Sequence, residues 1–274
     1  MKYTVLTLFP EIIEAFFASS IMARAVDRGV IQYRLINIRD YAFDKHRTCD
    51  DATYGGGPGM LMLPEPLGRA LEAAGVRNRL TGNGSADTAG LSAGDQAAVG
   101  DTAPAQVICL SPSGRPFTQA LAGELAGKQE LVLVCGRYEG IDQRIIDCYV
   151  DEEISVGDYV LSSGEAAALV LIDATYRLVD RVISTESLNE ESFSGGLLEY
   201  PQYTRPELYA TLRVPDVLIS GHHEHIRRWR LKKRVEKTLA LRPDLIRQGE
   251  EAGFFDAETV QMIEEMRNER NKGY

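Results

Sequence analysis

The most restrictive feature of this chain is an uninterrupted apolar run at residues 131–135, LVLVC, which the glycine-punctuated loop GRYEGID follows. A strand with one solvated face alternates apolar and polar residues, whereas a strand covered on both faces is apolar throughout. Such doubly covered strands are typical of parallel sheets with helices on both sides. The run therefore predicts an α/β fold.

Two further segments combine an apolar stretch with a loop of small residues: 107–115 (VICLSPSGR) and 154–165 (ISVGDYVLSSGE). Ligands of open parallel sheets bind at the carboxyl ends of the strands, where such loops converge. The three loops are therefore expected to form one pocket, whose backbone and small side chains suit an adenosine. Gly157 and Gly164 would let the backbone approach that ligand, or would serve turns that need positive φ.

The hydrophobic periodicity predicts alternating strands and helices over the first two thirds of the chain. Strands are expected at 3–9, 30–38, 107–110, 131–135 and 159–161, and helices at 10–29, 65–74, 117–126, 141–148 and 165–178. Residues 44–62, which contain the run GGGPG, are expected to form a loop.

Composition predicts the domain boundaries. Residues 75–104 are dominated by Gly, Ala, Ser, Thr, Asp and Asn, which bury too little surface to offset the entropy of ordering, so we expect a disordered insertion. Polar and acidic residues at 184–190 predict a linker between a first domain (1–183) and a second (191–274). Helices are expected in the second domain at 206–212, 224–241 and 257–270.

The charge distribution points to an anionic partner for one element only. The net charge of −10 argues against a generic nucleic-acid binder, but residues 222–247 contain nine Lys and Arg residues against three acids. This asymmetry is typical of a segment that meets a polyanion. A solvated helix face would give the same pattern.

Several classes of site are disfavoured. The four cysteines lack paired Cys-x-x-Cys spacing and are expected to be reduced and mostly buried. His222, His223 and His225 are too crowded for a zinc site, and the dinucleotide, P-loop and hydrolase-elbow motifs are absent. The chain has no apolar run of about eighteen residues and no signal-peptide pattern at its start, which predicts a soluble, cytoplasmic protein.

Extended motifs throughout the chain resemble one family. They are YTVLTLFPE, INIRDYAFDKH, YGGGPGMLM, LSPSGR, LVLVCGRYEGID, ISVGDYVLSSGE, GLLEYPQYTRP and SGHHEHIRRWRLKKR. The chain resembles the bacterial tRNA (guanine-N1)-methyltransferases of the SPOUT class, which methylate the guanine at position 37, 3′ of the anticodon. The resemblance covers all but residues 75–104. It implies a SPOUT-type parallel sheet with a deep trefoil knot, a small C-terminal helical domain that binds tRNA, and a homodimer whose site combines the knot of one subunit with the helical domain of the other.

The resemblance also implies S-adenosylmethionine as the methyl donor and suggests that Mg²⁺ assists. The cofactor contacts that it implies are Leu110, Ser111, Pro112, Gly136, Glu139, Val156, Gly157, Asp158, Tyr159, Val160, Leu161 and Gly164.

Guanine N1 carries a proton at neutral pH, so its methylation requires a base and a cation for the charge that develops. The resemblance assigns the base to Glu191, where the family usually has Asp, and the cation to Arg177. Arg177 would otherwise be a surface charge, and Glu191 part of an acidic turn. Ser163 stands where the family has glycine. The RNA contacts expected from the basic residues are Arg205, Arg227, Arg228, Arg230 and Lys232.

Two other functions stay open at this point. A ribose 2′-O-methyltransferase of the same class would share the cofactor pocket but would not be expected to carry this helical second domain. A non-catalytic anticodon-loop binder would keep the basic helix but would need no such pocket.

Overall fold

The computed structural model describes residues 1–80, 105–184 and 191–272. The chain divides into two compact units, Met1–Ile183 and Ser184–Tyr274. Of the predicted linker at 184–190, only residue 184 is described.

The first unit is built on a five-stranded sheet in which every pairing is parallel, in the order β2-β1-β6-β5-β7. The strands are β1 (Lys2–Thr7), β2 (Gln32–Asn37), β5 (Gln106–Pro116), β6 (Glu130–Cys135) and β7 (Glu152–Ser155). The apolar run at 131–135 lies in the central strand β6, and each of the five residues of the run is 1% exposed or less. The predicted α/β class is confirmed.

Helices cover both faces of this sheet. Side chains of a strand alternate between the faces, so Leu131, Leu133 and Cys135 pack into one apolar cluster, and Val132 and Val134 into another. The first cluster is completed by α1 (Pro10–Phe17), α2 (Ser20–Asp27), α4 (Gln119–Ala126) and α6 (Gly164–Tyr176). The second is completed by α3 (Pro64–Ala73) and α5 (Gln143–Tyr149).

Three expectations for the first unit are wrong. The single helix at 10–29 is two helices, because Ser20 has a φ of 53° that breaks the helical path. The loop at 44–62 contains an antiparallel hairpin, β3 (Asp50–Ala52) and β4 (Met60–Met62). The strand at 159–161 is absent from the described structure, in which Val160 is 85% exposed; the strand is β7, whose two glutamates interrupt the apolar pattern.

The start predicted for the disordered insertion, residue 75, is too early. Val76 packs against the second apolar cluster, and Arg79 donates a hydrogen bond of 2.6 Å to the carbonyl oxygen of Val150. Arg79 also forms an ion pair with Asp151. Residues 75–80 therefore belong to the folded unit, whereas residues 81–104 lie outside the described residues.

The described part of the second unit is mainly helical. Its helices are α7 (Asp216–Ile219), α8 (His223–Leu241), α9 (Pro243–Ala252) and α10 (Ala257–Lys272). Val235, Ile246 and Ile263, one from each long helix, lie at the centre of its apolar cluster. Helix α9 was not predicted, and the helix expected at 206–212 is wrong: this segment contains most of a hairpin, β8 (Leu208–Tyr209) and β9 (Leu212–Arg213), which turns at Ala210 with a φ of 53°.

None of the helices in the described residues has both the length and the hydropathy that a membrane span requires.

Candidate functional site

A bulge in β5 forms the first wall of a cleft at the carboxyl end of the sheet. Leu110 and Arg115 both lie opposite Ile154 of β7, so the four residues between them leave the ladder. Gly114 closes the bulge against β7: a Cβ atom there would lie 2.4 Å from the carbonyl carbon of Glu153. The close approach of the two strands therefore requires glycine.

The loop after β6 forms the second wall and is anchored to the hairpin strand β4. The amide of Glu139 donates to the carbonyl oxygen of Met60, and the amide of Met62 donates to that of Gly140, both at 3.0 Å. Tyr138 adopts a φ of 59° in this loop. Burial, followed by a hydrogen bond with Asp50, raises the pKa of the Tyr138 phenol, so the hydroxyl keeps its proton at neutral pH.

Residues 156–161 form the third wall, which is folded by local hydrogen bonds. Ser155 Oγ donates to the carbonyl oxygen of Gly157 (3.1 Å), and Tyr159 donates through its hydroxyl to that of Val156 (3.1 Å). Gly157 has a φ of 153°, which L-residues rarely adopt, so positive φ explains this glycine.

Gly164 joins the second wall to the third. Its amide donates a 2.8 Å hydrogen bond to the carbonyl oxygen of Gly136, and a Cβ atom at residue 164 would lie 2.7 Å from Cys135 Cα and from Gly136 N. Close backbone approach, and not positive φ, therefore explains this glycine. Ser163 just before it is extended, with a φ of −164°, so serine there carries no backbone strain.

The three walls enclose a cleft of about 440 Å³. Of the twelve predicted cofactor contacts, Asp158 is the one absent from the described lining. The other eleven line the cleft: Leu110, Ser111, Pro112, Gly136, Glu139, Val156, Gly157, Tyr159, Val160, Leu161 and Gly164. Arg137, Tyr138 and Glu153 also line it and were not predicted as contacts. Glu153 was missed because it lies on the unpredicted strand β7.

The charges of the described lining disfavour a polyphosphate. Arg137 is its one guanidinium and lies over the ring of Phe9 at 4.6 Å, while Glu139 and Glu153 contribute two carboxylates. Burial raises the pKa of Cys109 to about 12, so this thiol is neutral at physiological pH and is a poor nucleophile. The cleft is therefore suited to a ligand that carries positive charge.

The cysteine prediction is confirmed by the described residues. All four cysteines are free; Cys49, Cys109 and Cys135 are buried, and Cys148 is half-buried.

Arg177 does not line this cleft. It follows the last residue of α6, whose first residue is Gly164, and at 1.5 Å per residue the two Cα atoms lie about 20 Å apart. Arg177 is half-buried. The structure therefore places the predicted cofactor and cation positions at opposite ends of one helix.

Glu191 lies in a tight turn of the second unit. Its carbonyl oxygen accepts a 3.1 Å hydrogen bond from the amide of Ser194, and Phe193 adopts a φ of 74° between them. Helix α8 holds this turn: Arg234 donates to the carbonyl oxygen of Ser194 at 2.9 Å, and Thr238 accepts from the amide of Leu198 at 2.9 Å. Glu191 is half-buried on an anchored backbone.

The five predicted RNA contacts have different surroundings. Arg227 pairs with Glu224 and Glu258, and these bonds raise its pKa; Arg230 lies over the ring of Tyr200 at 4.7 Å. Arg228 and Lys232 are exposed and form no ion pair with any described residue. Arg205 is exposed before the cis proline Pro206.

The described residues include no group of three or more His, Cys, Asp or Glu side chains that could hold a metal ion. The expectation that Mg²⁺ assists therefore has no support among the described residues.

Comparisons with known proteins agree with this architecture. The family model described as tRNA (Guanine-1)-methyltransferase TrmD matches residues 1–248. A protein of Treponema denticola named tRNA (guanine-N(1)-)-methyltransferase is 57% identical over 269 residues, which cover 98% of this chain and 100% of the relative. Relatives of the same name from Treponema pallidum (97% and 96% covered) and Borrelia duttonii (100% and 98%) are each 50% identical. This chain therefore belongs to the tRNA (guanine-1)-methyltransferase family.

Proposed function

We propose that this protein transfers a methyl group from S-adenosylmethionine to N1 of the guanine at position 37 of tRNA. The broader activity, methylation of a tRNA guanine at N1, is the activity for which its relatives are named. The donor and the nucleotide position are the finer parts of the proposal. The observation that carries the donor is the convergence of three strand-end loops on one cleft.

The cleft fits this donor chemically. Apolar and small side chains at 156–161 suit an adenosine, and the absence of lysine from the described lining argues against a nucleoside polyphosphate. Glu139 and Glu153 give the lining more negative than positive charge, which favours a sulfonium cation. S-adenosylmethionine supplies an activated methyl group together with its own leaving group, so the protein needs to align the acceptor and prepare its nitrogen.

Preparing guanine N1 means removing its proton. Glu191 is the proposed base, because a carboxylate within hydrogen-bond reach of N1–H would accept that proton. The charge then spreads to O6, where the Arg177 guanidinium would stabilise it. The anchored turn supports this role for Glu191, since its backbone hydrogen bonds limit the positions that the carboxylate samples.

We further propose a deep trefoil knot and a homodimeric site. The tight crossings at Gly114 and Gly164 support the knot, because both need backbone to pass backbone without a side chain between them. The separation of about 20 Å between Gly164 and Arg177 supports a site completed by a partner subunit. On this proposal the cleft of one subunit would work with the basic second unit and Glu191 of the other.

Subunit complementation tests the shared site. Gly164→Ala, assayed at a donor concentration well below its weakened Kd, and Glu191→Gln would each lose most activity alone, but a heterodimer of the two would contain one site free of both changes. Random pairing makes half of the dimers mixed, so co-expression should restore about a quarter of wild-type activity, given the usual large loss from removing a base. No restoration in purified mixed dimers would show that each subunit uses its own residues.

The proposed reaction is tested with tRNA transcripts that carry guanine or adenine at position 37. We expect methyl transfer to the guanine transcript only, with digestion yielding 1-methylguanosine. A 2′-O-methylated nucleoside would identify the ribose methyltransferase instead. Calorimetry with S-adenosylmethionine alone addresses the non-catalytic binder, which would show no binding. A cytoplasmic location, where tRNA is modified, is part of the same proposal.

A further inference from the structure

A second cleft, of about 360 Å³, lies within the second unit between α8 and α10. Each helix contributes side chains at positions i, i+3, i+4 and i+7, which is the spacing of a single helix face. From α8 these are His225, Arg228, Trp229 and Lys232, and from α10 they are Met262, Glu265, Met266 and Glu269.

The floor of this α8/α10 cleft is apolar. Met262 and Met266 are 6% and 8% exposed, and Trp229 is half-buried with its ring 6.4 Å from that of Tyr203. An indole and two thioethers offer a flat, polarisable surface on which a planar ring can pack.

The two rims of the α8/α10 cleft carry opposite charges that do not neutralise each other. Arg228 and Lys232 are exposed along the α8 rim, and Glu265 and Glu269 along the α10 rim. Within the described part of the chain, no ion pair joins the two rims. A ligand in the cleft would therefore meet cations on one side and carboxylates on the other.

A nucleotide has matching features. Its phosphate would pair with Arg228 and Lys232, its base would stack on Trp229, and an amino-bearing base edge would donate to Glu265 and Glu269. Guanine is the best match, because its neighbouring N1–H and N2–H groups can donate side by side to one carboxylate. Uracil has no amino group to offer.

We propose that the α8/α10 cleft binds one unstacked guanine nucleotide of the bound RNA, separate from the guanine that is methylated. This inference rests on the proposed function in that RNA is taken as the partner. The acidic rim fixes the orientation of the nucleotide in the cleft. Its carboxylates repel the phosphate and accept hydrogen bonds only from the donor groups of a base.

The chain provides its own probe for this site. Trp229 is its single tryptophan, so tryptophan fluorescence reports on this cleft alone. We expect an anticodon stem-loop RNA to quench Trp229 saturably when added to the full-length protein. We also expect 5′-GMP to quench it at lower concentration than 5′-UMP.

Matched substitutions on the same helices test the two rims. Lys232→Gln should weaken stem-loop binding about three- to tenfold and reduce the salt dependence by about one phosphate contact. Glu265→Gln should weaken GMP binding about tenfold and remove its advantage over UMP. Lys233→Gln and Glu264→Gln, one residue away and outside the cleft lining, should stay within about twofold of wild type.

The outcomes separate this inference from the proposed function. If the protein methylates the guanine-37 transcript while RNA and GMP leave Trp229 fluorescence unchanged, the cleft inference is overturned and the proposed function stands. Equal effects of the cleft and control substitutions would also overturn the cleft inference. Trp229 quenching that increases with protein concentration in the absence of RNA would overturn it too, because a second copy of the chain would then occupy the cleft. If the wild-type protein neither methylates the transcript nor binds RNA, both the proposed function and the cleft inference are overturned.

Discussion

Gly164→Ala tests whether the approach of α6 to the end of β6 shapes the first cleft. The added Cβ would lie 2.7 Å from Cys135 Cα and Gly136 N, about 0.8 Å inside the ~3.5 Å separation that unstrained carbon contacts adopt. Both contacted groups are main chain, and the 2.8 Å hydrogen bond from Gly164 N to Gly136 O holds them. Relief therefore requires the backbone to move, and overpacking of this kind costs about 1–3 kcal/mol.

The same movement would displace the loop that begins at Gly136, so we expect at least a tenfold loss of S-adenosylmethionine affinity by calorimetry together with a lower urea midpoint. Gly123→Ala is the matched control. Gly123 lies in α4, and no atom outside the adjacent turns of this helix lies within 4 Å of an added Cβ; alanine in a helix interior should raise stability by about 0.5–1 kcal/mol. Wild-type stability and cofactor affinity in Gly164→Ala would refute the close-approach argument.

Further outcomes are expected at the other candidate positions. Glu191→Gln should lose about two to four orders of magnitude in turnover with cofactor binding preserved, and Glu190→Gln should be mild; the reverse result in single-turnover assays would reject the assignment of the base. Ser163→Gly should change cofactor affinity by less than about tenfold in calorimetry, because Ser163 is unstrained and makes no cap hydrogen bond. Replacing 81–104 with a short Gly/Ser linker, while keeping 75–80, should leave turnover near wild type, since loop-closure entropy varies only logarithmically with length; a folded but inactive product would contradict this.

The parts of the fold that the sequence predicted are those where burial decides the pattern. Residues 131–135 are apolar because both faces of β6 are covered, so the class of the sheet could be predicted from them. The hairpin at 50–62 could not, because its link depends on positive φ at four glycines, a conformation that leaves no hydrophobic period. The hairpin at 208–213 could not be predicted for a related reason. Its apolar residues have the spacing of a helix in the sequence, but in the structure they are exposed and lie in two short strands.

The sequence predicted the location of the candidate cleft, because loops of small residues form its walls. Three loops with small residues after apolar strands indicated a shared edge of the sheet, and eleven of the contacts that the resemblance implied line the cleft there. Arg177 shows the limit of this reasoning, because helical spacing fixes its distance from Gly164 but gives no information about what a partner subunit brings to it. Ser163 shows another limit: whether serine is strained there depends on a φ angle that only the structure provides.

The basic segment at 222–247 also shows why formal charge overestimates the contacts available to RNA. Six of its nine cations already bond or stack within the described structure, and Arg234 and Lys237 donate to the backbone carbonyl oxygens that hold the Glu191 turn and the segment after it. The three that form no hydrogen bond or ion pair with described residues are Arg228, Lys232 and Arg247.

Since each neutralised phosphate of a single strand contributes about 0.7 to the slope of log affinity against log salt, this segment should contribute about 2 and not about 6. Titration of an anticodon stem-loop between low and moderate salt, with Arg228→Gln and Arg247→Gln compared against Arg242→Gln, measures that share. Arg242 is already paired with Asp244. If Arg242→Gln lowers the slope as much as Arg228→Gln and Arg247→Gln do, RNA breaks the internal ion pairs and uses every cation of the segment.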